Sequence, residues 1–238
     1  MKNLFLFLFL LVVFTSKAQD NRVSGLNSRQ FTKYWKVESE SPDYKVTFQG
    51  DTAEIVSPKG LTLWRKEKMS GKVTIEYDAC VVVESDGDRL SDLNCFWMAS
   101  DPQYPDNLWK REKWRSGIFL NCYSLQLYYL GYGGNHNSTT RFRRYDGDES
   151  GITNPKDRPA ILKEYTDAGH LLKPNHWYHI KITNENNRVS YYIDGERLVD
   201  FRDAEPLREG WFGFRTTLSR TRITNFSYEC SSQEAAAV

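Results

Sequence analysis

The sequence predicts an all-β sandwich, and three observations carry that expectation. Short runs of alternating apolar and polar residues recur along the 238-residue chain, with turn residues between them. No segment of useful length repeats its apolar residues at i, i+3, i+4 and i+7, the spacing of a core-facing helix. Aromatic residues make up 14% of the chain, which suits strands, where flat and β-branched side chains pack well. Elements of this kind bury their apolar faces by stacking two sheets.

The elements follow in order. Residues 1–18 read as an export signal: Lys2 is the positive start, Leu4 to Phe14 is apolar, and Ser16-Lys17-Ala18 offers small residues for cleavage after Ala18. That apolar run is shorter than the ~20 residues that span a bilayer, so an exported, periplasmic or secreted protein without a membrane span is expected. Residues 19–30 are polar and read as a flexible lead-in. A single domain is expected over 31–230, with a disordered tail at 231–238. Phe31–Val37, Tyr44–Phe48, Ala53–Val56 and Leu61–Trp64 alternate as strands, the last two parted by the turn Ser57-Pro58-Lys59-Gly60. Lys72–Glu84 and Leu93–Ser100 are further strands, and Asp101–Arg115 is irregular. Ile118–Cys122, Tyr123–Tyr132 and Thr140–Tyr145 read as strands before a long polar loop over 146–168. His176–Thr183, Arg188–Ile193 and Arg197–Phe201 follow, with Asp194-Gly195 as a tight hairpin turn. Trp211–Thr216 and Thr221–Tyr228 complete the sheets.

Composition removes several function classes. With Lys2 and Lys17 lost in the signal, 30 basic residues face 31 acidic ones, so the broad basic surface of a nucleic-acid binder is missing. The four cysteines, Cys80, Cys95, Cys122 and Cys230, have no zinc-type spacing. Export permits disulfides, but free buried thiols on core strands fit the spacing as well. Asp86, Asp88 and Asp92 are oxygen donors for a structural Ca²⁺ only outside any EF-hand pattern. No cofactor is therefore expected, and the protein is expected to act as a monomer.

The block Leu125–Gly147, LQLYYLGYGGNHNSTTRFRRYDG, concentrates tyrosines, a histidine between two asparagines, and three arginines. Such density exceeds what a strand pair needs and suits a site for an anionic, hydroxyl-rich ligand, so an acidic oligosaccharide or polysaccharide is the expected partner. His136 lies in a glycine- and asparagine-rich turn with little use for it in packing, and histidine titrates near pH ~6.5, where proton transfer is easy. Arg141, Arg143 and Tyr145 share one strand face, and arginine grips carboxylates in a fork. Along the preceding strand, Tyr123, Leu125, Leu127 and Tyr129 alternate with Ser124, Gln126, Tyr128, Leu130 and Tyr132. The leucines assign the first set to the core, leaving Tyr128 and Tyr132 for a cleft. His136, Tyr132 and Tyr145 are thus the candidate catalytic residues. Arg141, Arg143, Asn94, Tyr128, Asn135, Trp114 and Arg115 are the candidate substrate contacts, Trp114 and Arg115 as part of a wall with Trp109, Lys110, Arg111 and Lys113. Retaining hydrolysis would need paired carboxylates ~5 Å apart, and Glu76-Tyr77-Asp78 is not followed by the third acid of an E-x-D-x-x-E strand.

The closing run HWYHIKIT…RVSYYIDGERLVDF…GWFGFRTT…ITNFSY resembles the second half of concanavalin A-like jelly rolls, a fold used by lectins, hydrolases and lyases. In the middle of the chain, Asp92-Leu93-Asn94-Cys95-Phe96-Trp97-Met98 and the block from Tyr132 to Tyr145 resemble small secreted jelly-roll proteins of carbohydrate-degrading Bacteroidetes. That resemblance implies β-elimination at a uronate, with an ulvan oligosaccharide dehydratase as the model activity and a polysaccharide lyase or a non-catalytic binding module as alternatives.

Overall fold

The structure is a computed structural model that describes residues 23–231; the expected signal at 1–18 and residues 232–238 of the tail lie outside the described residues. The described residues hold fourteen strands, paired antiparallel. The first seven are β1 Val23–Ser24, β2 Trp35–Ser39, β3 Lys45–Gln49, β4 Thr52–Arg65, β5 Met69–Ser70, β6 Lys72–Val81 and β7 Leu93–Ser100. The second half adds β8 Gln126–Gly133, β9 Thr139–Asp146, β10 Lys163–Tyr165, β11 Tyr178–Glu185, β12 Arg188–Ile193, β13 Glu196–Arg202 and β14 Glu209–Ser231.

Two strands expected from the sequence as pairs are each continuous. Thr52–Arg65 runs through the Ser57–Gly60 turn signal, and β14 runs through Leu218. Leu218 takes a φ of +49° at a bulge between Thr217 and Ser219, so β14 bends without giving up its partner β4. Below the bend, β14 pairs with β7 and β4 in one layer, ordered β10-β9-β8-β7-β14-β4-β2. Beyond it, β14 pairs with β6 and β4 in the other, ordered β13-β12-β11-β6-β14-β4-β3. The architecture is the expected all-β sandwich.

Aromatic rings fill the space between the layers. Trp97, Tyr128 and Phe142 from the first layer meet Tyr191 and Phe201 from the second, with Trp97 and Tyr191 centroids 6.1 Å apart. Each buried ring removes roughly 150–250 Å² from water, so this cluster dominates the burial term. All four cysteines are unpaired. Burial pushes the Cys95 thiol up to about 12 and the Cys122 thiol up to about 11, which keeps both protonated and unreactive.

The structure differs from expectation at four further segments. Residues 23–26 are not free of the fold: β1 pairs with Ser227–Tyr228 and Leu26 is buried in the core. Phe31–Tyr34 forms one helical turn, and the strand expected there begins only at Trp35. Residues 118–122 do not form a strand; Ser116 and Gly117 turn the chain left-handed, and Leu120–Ser124 coils as a 3-10 turn. The polar loop over 146–168 contains β10, which extends the first layer beyond β9. The whole segment 101–125 lies across the outer face of the first layer. There, Leu108, Cys122 and Leu125 close a second apolar cluster with Trp64, Phe96, Leu127, Tyr129, Tyr145 and Trp211.

One ion pair fastens this cover. Arg115 is fully buried, and its guanidinium donates to the Glu38 carboxylate of β2 at 2.6 Å and to the Leu108 carbonyl at 2.6 Å. Arg111 donates to Asp101 at 2.8 Å in the same segment. Removing one partner of such a pair strands the other charge in the interior, at a cost of ~3–5 kcal/mol. Arg115→Ala is therefore expected to lower stability by about 3–5 kcal/mol in a denaturant titration. Lys113 is exposed two residues away, and Lys113→Ala in the same titration should change stability by less than ~0.5 kcal/mol.

Candidate functional site

The cover does not reach the end of the first layer nearest the β8–β9 turn, and a cleft of about 360 Å³ opens there. This lies within the ~300–1,000 Å³ range of small-ligand sites. Its floor is the outer face of β7, β8, β9 and β14, which supply Asn94, Tyr129, Gly131, Arg141, Arg143 and Arg215. Phe119 and Tyr123 of the cover form one wall, with Glu40 beside them. Arg89 and Asp92 close another side, and Gly134, Asn135 and His136 overhang the opening.

His136 stands on an unusual backbone. Asn135, His136 and Asn137 all have positive φ, at 51°, 58° and 58°, making a single left-handed turn over Gly134–Asn137. Outside glycine, each such residue costs roughly 1–2 kcal/mol, and strain held this way marks sites where geometry matters. Side-chain bonds hold the turn. Asn137 accepts from the Leu172 amide at 2.8 Å and donates to the Leu172 carbonyl at 2.9 Å. Asn135 donates to Thr139 Oγ1 at 3.2 Å, and Ser138 donates to the Asn135 carbonyl at 2.7 Å. The His136 ring is exposed at the cleft and has no hydrogen-bond partner among the described residues.

Below it, Tyr129 leans along β8 over Gly131. A side chain at Gly131 would strike the Tyr129 ring and hydroxyl, so glycine is required for the phenol to lie there. Burial pushes the Tyr129 phenol well above its ordinary range; the Asp92 charge adds to this, and Arg215 and Arg143 only partly oppose it. Tyr129 therefore keeps its proton at neutral pH and is a weaker acid than a free phenol, so it can give the proton up only to a group on which negative charge develops.

The cationic lining is unevenly compensated. Arg89 pairs with Asp92 at 2.6 Å, and Arg141 pairs with Glu164 at 2.5 Å. The nearly buried Arg215 donates to the Gly117 carbonyl, lies over the Phe119 ring, and has Glu40 no nearer than 3.9 Å. Arg143 donates to the Pro159 carbonyl and pairs with no carboxylate among the described residues. Asn94 is 6% exposed; its amide donates to Asp92 at 3.2 Å, while its Oδ1 is buried without a partner. An unmet acceptor costs ~1–3 kcal/mol, so this atom is placed for a donor such as a ligand hydroxyl. The arrangement can bind an anion at Arg143, accept a hydroxyl at Asn94, and move protons with His136 and Tyr129.

The structure thus gathers His136, Asn135, Arg141, Arg143 and Asn94 in one cleft and places the other candidates elsewhere. The face assignment on β8 is reversed: Tyr128, Leu130 and Tyr132 point into the inter-layer core. Tyr128 donates to Asp203 at 2.6 Å, and Tyr132 donates to the Leu171 carbonyl at 3.2 Å. Leu125 and Leu127 are indeed buried, but on the outer side of the first layer, Leu125 as the last residue of the cover and Leu127 beneath it on the face of Tyr129. Tyr145 shares the β9 face of Arg143 yet is sealed by Tyr123 and Tyr129. Trp114 is exposed with Arg111 against its ring, and Arg115 is the buried partner of Glu38, so neither lines the cleft. Tyr129, Arg89, Arg215 and Glu40 were not singled out in the sequence. The alternation of β8 carried the only signal for Tyr129, and none of the other three adjoins the His136 block.

Among the described residues, no group of three His, Cys, Asp or Glu is placed to hold a metal ion. Asp88 instead accepts the Glu84 and Ser85 amides at 2.7 and 3.0 Å, and Asp92 is taken up by Arg89 and Ser91. No helix among the described residues is long and apolar enough to cross a membrane.

Residues 55–226 match a family described as a domain of unknown function, DUF6250. The chain belongs to this family. No curated protein matches it. Among solved structures, this DUF6250 chain is similar to a Bacillus subtilis protein of unknown function with a galectin-like fold, at a TM-score of 0.69 and 16% identity, over 90% of this chain and 96% of that one. It is also similar to the carbohydrate-binding module CBM66 from Bacillus subtilis, at 0.53 and 15% identity, over 82% and 94%. The exoplasmic/lumenal domain of VIP36, in a Ca²⁺- and glycan-bound form, matches at 0.56 and 10% identity, over 91% and 90%. At these identities the likeness is one of fold.

Glycine removes the strain at position 136 without disturbing the bonds of Asn135 or Asn137. His136→Gly is expected to raise stability by about 1 kcal/mol, read as a melting temperature higher by ~2–4 °C.

Proposed function

We propose that the cleft binds the uronate of an acidic saccharide and carries out β-elimination across its C4–C5 bond. The observation that carries this reading is the meeting of three features in one cleft. They are a histidine held out on a strained turn, a tyrosine kept protonated by burial, and an arginine without a carboxylate partner among the described residues. β-Elimination from a uronate needs a base, an acid and a cation on the carboxylate.

In this mechanism Arg143, supported by Arg141, takes the uronate carboxylate and makes the C5 proton more acidic. A ring nitrogen of His136 removes that proton. The C5–H electron pair becomes the C4–C5 double bond, and the C4–O bond breaks with its electrons on oxygen. Tyr129 protonates the departing oxygen and is reprotonated from solvent or from His136. Asn94 Oδ1 accepts a sugar hydroxyl and fixes the ring. If C4 carries a hydroxyl, water leaves and the product is a 4,5-unsaturated uronate at the non-reducing end; if it carries a sugar, the chain is cleaved. Dehydration of ulvan-type oligosaccharides is the form of the reaction that the sequence resemblance favours. A saccharide ligand also accords with CBM66 and glycan-bound VIP36 having the same fold.

The experiment is incubation of the protein with uronate-containing polysaccharides and oligosaccharides, followed by ultraviolet absorbance of the conjugated double bond and mass spectrometry. The reading predicts new absorbance with loss of water. Saccharide binding with no product would establish a binding module instead, and saturated fragments would establish hydrolysis. Tyr129→Phe is expected to lower kcat by roughly 10²–10⁴-fold, the usual range for a lost general acid, and His136→Gly to be stable but inactive. The raised phenol stays protonated well into the alkaline range, so the pH–rate profile should show no fall from Tyr129 below pH ~10.

A further inference from the structure

The left-handed turn is braced from behind by residues 167–173, which have almost no strand partner of their own. Their backbone groups are met instead by side chains from β8, β9, the turn itself and β11. Thr140 Oγ1 donates to the His170 carbonyl at 2.6 Å and accepts the Gly133 amide at 3.2 Å. Tyr132 donates to the Leu171 carbonyl, Asn137 bonds both the amide and the carbonyl of Leu172, and the Lys173 amide donates to Tyr178 Oη at 2.6 Å. Gly133 lies so close to Leu172 and Asn137 that a side chain there would collide with both. The brace therefore touches the His136 turn at the glycine that leads into it, its last asparagine and the strand that follows.

The brace is pinned at its other side by His170. Its Nδ1 lies 2.8 Å from Asp167, its Nε2 lies 3.3 Å from Glu196 on β13, and its ring stacks on Tyr165 of β10 with centroids 4.1 Å apart. Lys173, His176 and Asp194 line the same groove. We propose that His170 is a positioning residue for His136: its ion pair with Glu196 and its stacking on Tyr165, with the Asp167 pair closing the turn of the brace itself, hold residues 170–172 against Asn137 and Thr140, and so set the angle at which the strained turn presents the histidine to the cleft. The consequence for catalysis rests on the proposed use of His136, whereas the mechanical coupling does not.

The coupling has a direction in pH. Burial lowers the His170 pKa, but hydrogen bonds and charge from Asp167 and Glu196 outweigh it and leave the pKa above its ordinary value. The pin is therefore fully engaged below the ordinary histidine range, and it is released as pH rises through the folded midpoint. Asp167 is correspondingly lowered by its bond to His170.

The test follows the Asn137 side-chain amide and the His170 ring by NMR against pH, in a His136→Asn protein that removes the titration of residue 136 itself. Asparagine tolerates the left-handed backbone, so this variant keeps the turn. The Asn137 amide should titrate with the same midpoint as the His170 ring. Glu196→Gln should lower both midpoints together, and His170→Gln should abolish the Asn137 response. An Asn137 amide that is flat, or that titrates unchanged in His170→Gln, overturns the proposal. In the native background His170→Gln should lower kcat about tenfold with little change in KM. If no uronate is turned over while the co-titration persists, the catalytic reading fails and the coupling stands.

Discussion

The Arg115 guanidinium and the Glu38 carboxylate lie inside the protein 2.6 Å apart, and they tie the cover segment to the sandwich. Everything about the cleft follows from where that segment lies. The outer face of the first layer is apolar at one end, with Trp64, Phe96, Leu127 and Trp211, and cationic at the other, with Arg141, Arg143 and Arg215. The cover buries the first and stops short of the second. Phe119 and Tyr123, the last rings of the cover, become the cleft wall, so the same segment that excludes water from the apolar end borders the polar one. Burying a cation such as Arg215 is tolerable only because its hydrogen bonds and the Phe119 face replace water.

Strain and burial then divide the chemical roles. A left-handed run of three residues is poor packing but good presentation, because it lifts the His136 ring clear of neighbours that would hydrogen-bond it. Tyr129 is the converse: wedged over Gly131 under the cover, it is held in its protonated form. In the proposed reaction His136 at the rim accepts a proton and Tyr129 at the floor gives one up, an asymmetry suited to moving a proton from one side of a bound sugar to the other. Arg143, directly across the β8–β9 pairing from Tyr129, supplies charge that no carboxylate among the described residues neutralises.

Much of this was legible in the chain. Period-2 alternation, turn residues and the lack of helical spacing pointed to the sandwich and nearly every strand, because a sheet buried on one side imposes that pattern directly. The density of the 125–147 block pointed to the candidate cleft, where His136, Asn135, Arg141 and Arg143 meet Asn94. Alternation separates two faces but does not say which is the core when both are apolar. At the entry to β8 the leucines Leu125 and Leu127 belong to the outer apolar cluster, which exchanged the roles of Tyr128 and Tyr129. Arg115 looked like a surface contact because its partner, Glu38, is far away in sequence. Arg215 reaches the cleft through the β14–β7 pairing, Glu40 through the docking of β2 and its own amide on β4, and Arg89 through its bond to the Thr217 carbonyl, all information carried by tertiary structure. Likewise, the bend at Leu218 leaves no local signature, since leucine rarely adopts positive φ.

The most direct measurement is a crystal structure of the His136→Gly protein with a uronate-terminated oligosaccharide bound. The account predicts the uronate carboxylate on Arg143, a ring hydroxyl on Asn94 Oδ1, the C4 oxygen facing Tyr129, and C5 beneath position 136. A saccharide seated elsewhere on the sandwich, or one whose carboxylate points away from Arg143, would contradict it.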